Sequence, residues 1–108
     1  MSWDIGIHLN GIRFENADWN YTHNCNKMMR DAGYDWIYSL QDQKVIDTLP
    51  QFRAMLENLK AHPKKYRAMN PENGWGDYDR LVALLDKIMI RAQEIVESVP
   101  DAQWWECS

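Results

Sequence analysis

Trp3, Ile5, Ile7 and Leu9 alternate with Asp4, Gly6, His8 and Asn10, the two-residue period of a strand with one buried face. Asn10-Gly11 follows, a pair favoured in two-residue hairpin turns, and residues 12–14 can begin the return strand. A hairpin is therefore expected over residues 3–14, with residues 16–20 leaving the sheet. The period then lengthens. Cys25, Met28, Met29 and Ala32 mark one face of a short helix over residues 23–32, with Thr22 as its N-cap and Gly33 as its stop. Residues 34–39 are aromatic and β-branched, fitting a short third strand or a loop. Val45, Leu49, Phe52, Leu56 and Leu59 recur at spacings of four and three, which predicts an amphipathic helix ended by His62-Pro63. Within it, Thr48-Leu49-Pro50-Gln51 fits a capping box with proline near the start, so any turn before it should be separate or kinked. The longest stripe runs Tyr78, Leu81, Val82, Leu85, Ile88, Met89, Ala92, Ile95, Val96 and Val99, with Asp77 as cap and Pro100 beyond the last turn. Trp104-Trp105 suits a closing strand against the hairpin or a clasp over the core.

These elements predict one compact α+β domain over residues 1–108. A small antiparallel sheet, built from the N-terminal hairpin, is covered on one face by two long helices and one short helix. The apolar share of 45% and the charged share of 26% are ordinary for a globular chain, which argues against disorder. Six tryptophans and five tyrosines are many for 108 residues, so some rings are expected at a surface.

The net charge of −4 is spread evenly over both halves of the chain, so neither half is a basic face for duplex nucleic acid. Lys60, His62, Lys64, Lys65 and Arg67 cluster, but cations at a helix C-terminus account for them. Too little negative charge is present to imitate a phosphate backbone. No apolar run approaches a membrane span, and the N-terminus lacks a basic region followed by an apolar core. A soluble, cytoplasmic chain with Cys25 and Cys107 reduced is the expectation.

Catalytic and metal chemistry find little support. His23 and Cys25, two positions apart on a helix, would project about 200° apart and cannot share an ion. No Cys-x-x-Cys or His-x-x-x-His spacing accompanies His8, His62 or Cys107, so neither a metal nor another cofactor is expected. Gly74-Trp75-Gly76 lacks the lysine and serine of a phosphate loop. Glu72, Asp77 and Asp79 read as first-turn carboxylates on a helix dipole rather than an acid/base set.

Two polar-aromatic segments remain, Trp19-Asn20-Tyr21-Thr22-His23-Asn24 and Asn70-Pro71-Glu72-Asn73-Gly74-Trp75-Gly76-Asp77-Tyr78, each at the mouth of a helix. Capping explains one residue at each mouth, and four or five polar positions exceed that need. Amides and hydroxyls flanked by rings suit a polar ligand or a protein interface. Asn20, Tyr21, Thr22, Asn24, Asn73, Trp75, Asp77 and Tyr78 are the candidate contact residues, expected side by side on one surface.

Taken with the intervening Pro63-x-x-Tyr66-Arg67 and the leucine-rich helix, these segments resemble small hypothetical proteins of bacteriophage and prophage genomes. The resemblance covers about residues 19 to 99. It implies no catalytic residue; it implies the setting of a phage accessory protein in the cytoplasm of a bacterial host. The expected function is non-enzymatic binding that blocks a host defence protein through the polar-aromatic surface. The second reading is a sponge for a nucleotide-like signal, with homodimerisation as one way to deepen the pocket. The third is a small enzyme using His23 or Asp77 as base.

Overall fold

A computed structural model describes residues 2–33 and 39–107. Strand β1 (Ser2–Leu9) turns through Asn10 and Gly11 into β2 (Ile12–Thr22). Positive φ at both turn residues, 53° and 80°, gives the turn that matches the twist of the paired strands. A single 3-10 turn (His23–Cys25) leads into α1 (Asn26–Asp31); Thr22 caps it by accepting the Asn24 N–H at 3.2 Å. The expected single helix over residues 23–32 is thus a 3-10 turn and a short α-helix in series. Beyond Gly33, the expectation for residues 34–39 falls almost wholly outside the described residues. Helices α2 (Val45–Ala61), α3 (Pro63–Arg67) and α4 (Tyr78–Ser98) follow, and β3 (Gln103–Cys107) closes the chain.

The sheet order is β2-β1-β3, with both pairings antiparallel. The fold is α+β: a three-stranded antiparallel sheet with an N-terminal hairpin, and four helices among the described residues. Trp104 and Trp105 belong to β3, and Trp104 also fills the core, fully buried beside Ile7 in the register.

The return strand is longer than the alternation suggests. Residues 16–20 do not leave the sheet: Asp18, Trp19 and Asn20 pair with Gly6, Ile5 and Asp4. Between the pairs Gly6–Asp18 and His8–Arg13 lies a bulge holding Asn16 at φ 54°, with Ala17 turned into the core. β2 is an edge strand with an open face, so its Asp and Asn side chains need not be buried. The bulge absorbs the residues that break the alternation.

The start of α2 also departs from the capping-box reading. The Val45 N–H donates to the Ala102 carbonyl at 2.9 Å, so the chain's own tail satisfies the helix start. The Thr48 hydroxyl donates to the Val45 carbonyl at 2.8 Å and accepts the Trp104 indole N–H at 2.7 Å. Pro50 sits inside the helix, whose first turns continue through it at the loss of one backbone donor. All five predicted stripe residues of α2 are buried, as are Leu81, Leu85, Ile88, Ala92, Ile95 and Val96 of α4. The two stripes pack together and, with Trp3, Ile5, Ile7 and Trp104, form one buried cluster on one face of the sheet. Rings of this size bury about 150–250 Å² each, so Trp3 and Trp104 carry a large share of that core.

Candidate functional site

Residues 70–77 form a loop between α3 and α4, and side-chain hydrogen bonds shape it. The Tyr78 N–H donates to Asn70 Oδ1 at 2.8 Å, and the Trp75 N–H donates to Asn73 Oδ1 at 2.9 Å. Asp77 caps α4 by accepting the Arg80 N–H at 2.8 Å. Arg67 reaches across from α3 to grip Asp79 in two bonds, 2.8 and 3.2 Å, which hold that carboxyl below its usual range.

This loop docks on the end of β2. The Asp77 N–H donates to the Tyr21 hydroxyl at 3.1 Å, and that hydroxyl donates on to the Asp77 carbonyl at 3.3 Å. Asn24 Nδ2 donates to the Trp75 carbonyl at 3.3 Å. Gly76, at φ 91°, makes the closest approach. A Cβ there would lie 2.5 Å from Thr22 Cγ2 and 3.2 Å from both Cys25 Sγ and the Tyr21 hydroxyl. Only a residue without a side chain fits this conformation and this space together. The contact buries Cys25 completely, and that burial, helped by the Asp77 carboxylate, pushes its thiol up to about 11. Burial likewise raises the Tyr21 phenol. Cys25 is a core thiol, protonated at neutral pH.

The two polar-aromatic segments therefore meet. A groove of about 620 Å³ runs between them, lined by Ser2, Asn20, Tyr21, Thr22, Asn24, Asn73, Trp75, Gly76 and Arg80. Trp75 stands at its edge with 71% of its surface exposed, whereas Trp3 and Trp104 are 1% and 0% exposed. Alone of the candidate rings it projects fully outward. No protein-family model, curated protein or solved structure matches this chain.

The eight candidate residues divide by what their polar atoms already do. Tyr78 is a correction: it is 4% exposed, its hydroxyl donates to the Leu59 carbonyl at 2.6 Å, and its ring stacks on Tyr66. Its place on the α4 stripe puts it in the core, not on the surface. Asp77 and Thr22 serve as caps, and Tyr21 as the clamp between segments. Asn20 lies at the groove, but its amide nitrogen is directed at β1, 2.7 Å from Asp4 Oδ1 and 3.1 Å from Ser2 Oγ. Asn24, Asn73 and Trp75 remain exposed at the groove.

Ser2 and Arg80 line the groove without having been singled out in the sequence. Arg80, three residues past the Asp77 cap, has the spacing of a first-turn neighbour of the loop. Ser2 gives no local signal, because only the β1–β2 register brings it beside Thr22. The basic cluster near residue 60 is mostly neutralised within the fold. Lys60 pairs with Asp86 at 2.6 Å, Lys65 with Asp31 at 2.7 Å and Arg67 with Asp79. Among the described residues no three His, Cys, Asp or Glu side chains converge as metal ligands. Among the described residues, no helix is long and apolar enough to cross a membrane.

Proposed function

We propose that this protein acts by binding another protein, with Trp75 as the central anchor of the surface between residues 19–24 and 70–77. The carrying observation is a 71% exposed tryptophan on a loop fixed from both sides by Asn73, Asn24 and Tyr21. Exposing a large apolar ring costs solvation. Holding its backbone rigid lowers the entropy lost when a partner covers it, which is how aromatic hot spots act.

The shape favours a protein over a small ligand for this groove. Trp75 projects from its edge instead of lining an enclosed cavity, and Asn24, Asn73 and Arg80 around it suit the polar rim of an interface. The resemblance to phage accessory proteins makes a host defence protein in the bacterial cytoplasm the proposed partner.

Affinity capture from a bacterial host lysate, run in parallel with wild-type protein and Trp75→Ala, tests this. A protein retained by the wild type and lost with the variant, at equal melting temperature, supports the reading. Equal retention by both refutes it. If the partner is a second copy of the chain, sedimentation would show a wild-type dimer and a Trp75→Ala monomer.

A further inference from the structure

A second cleft, of about 600 Å³, opens on the other flank of the same loop, between α1 and residues 68–73. One wall, formed by the 3-10 turn and α1, carries His23, Lys27 and Arg30, spaced four and three apart so that they share one flank of the helical run. Lys27 makes no ion pair among the described residues. The facing wall supplies Asn70 and Asn73. Each has its Oδ1 committed to a backbone N–H, Tyr78 for Asn70 and Trp75 for Asn73. A backbone N–H can only donate, so the amide orientation is fixed, and each Nδ2 is left as an unspent donor at the cleft. Glu72 is the single carboxylate in the lining. In a chain of net charge −4, this cleft has lysine and arginine on one wall and spare amide donors on the other.

We propose that the cleft binds a small molecule through a terminal phosphate. Three acceptor oxygens and negative charge match Lys27, with Arg30 beside it, on one side and the two asparagine amides on the other. The volume lies within the range of about 300–1,000 Å³ usual for small-ligand sites, which accommodates a mononucleotide or a sugar phosphate. This site is separate from the Trp75 groove in its ligand chemistry and does not depend on a protein partner. It shares Asn73 with that groove, so occupancy would bear on how the Trp75 backbone is held.

Calorimetric titration with AMP, GMP and glucose 6-phosphate, with adenosine and inorganic phosphate as comparisons, tests the assignment. At least one phosphorylated compound should bind saturably, adenosine should not, and inorganic phosphate should compete. Whether a nucleotide or the sugar phosphate binds tighter identifies the body of the ligand. Lys27→Ala with Arg30→Ala should weaken binding by about tenfold or more, as both residues are exposed and the fold should survive. Asn73→Asp is the sharper variant. It keeps the oxygen that receives the Trp75 N–H and replaces the donor with negative charge, so binding should fall while the melt is unchanged. Lys87→Ala, on α4, should leave affinity intact. No saturable binding of any phosphorylated compound at millimolar concentration would overturn the proposal. So would adenosine binding as tightly as AMP, or affinity indifferent to Asn73→Asp.

Discussion

The segments over residues 19–24 and 70–78 are built from the same residue types and meet different fates. In the first, the strand decides. Pairing of Trp19 with Ile5 and of Tyr21 with Trp3 turns both rings toward the core side, and Asn20 spends its nitrogen on β1. In the second, the loop folds on its own asparagines, and Gly76 presses it onto Thr22 and Cys25 so that Trp75 faces out. A regular element assigns its side chains by period; a loop assigns them by where its backbone donors find acceptors. The proposed anchor lies on the loop for that reason.

The strongest perturbation lies beneath both segments. Leu85→Ala, at a fully buried position on α4, should cost about 2–5 kcal/mol, as large-to-small core changes do. A denaturant titration unchanged from wild type would mean that the α4 stripe does not hold the two segments together.

Next is the seam. Gly76→Ala introduces a Cβ 2.5 Å from Thr22 at a positive φ and should destabilise by about 1–3 kcal/mol or more. Amide exchange should then rise over residues 70–77 before it rises elsewhere. Uniform exchange would show that the loop does not dock as a separate layer. Tyr21→Phe removes the hydroxyl that joins the segments and strands the Asp77 N–H. A loss of about 1–3 kcal/mol is expected by thermal melt, less if water replaces the hydroxyl. No loss at all would make the clamp incidental.

The stripes of α2 and α4 were legible because ten or more turns of sequence repeat one period, and Asn10-Gly11 because few pairs tolerate two positive φ angles. The extension of β2 was not legible. Glu15, Asn16 and Asp18 look like loop residues, and only an edge position with a bulge at Asn16 makes them acceptable in a strand. The first turn of α2 was missed for a similar cause, since the Ala102 carbonyl that receives the Val45 N–H comes from the far end of the chain. At the candidate site the residue types pointed to both segments. Which atoms stay free could not be read locally: Tyr21 meets Asp77 across 56 positions, and the core role of Tyr78 depends on Leu59 and Tyr66.

The smallest effect on stability should come from Trp75→Ala, within about 0.5 kcal/mol, because an exposed ring away from packing contributes little to the folded state. That variant also separates an anchor from a scaffold residue, through its melting temperature and its dissociation constant for the captured partner measured side by side. An unchanged melt is expected, with affinity weakened by about 1–3 kcal/mol, or roughly fivefold to a hundredfold or more. A lowered melt with affinity intact would contradict it, and would make Trp75 part of the scaffold.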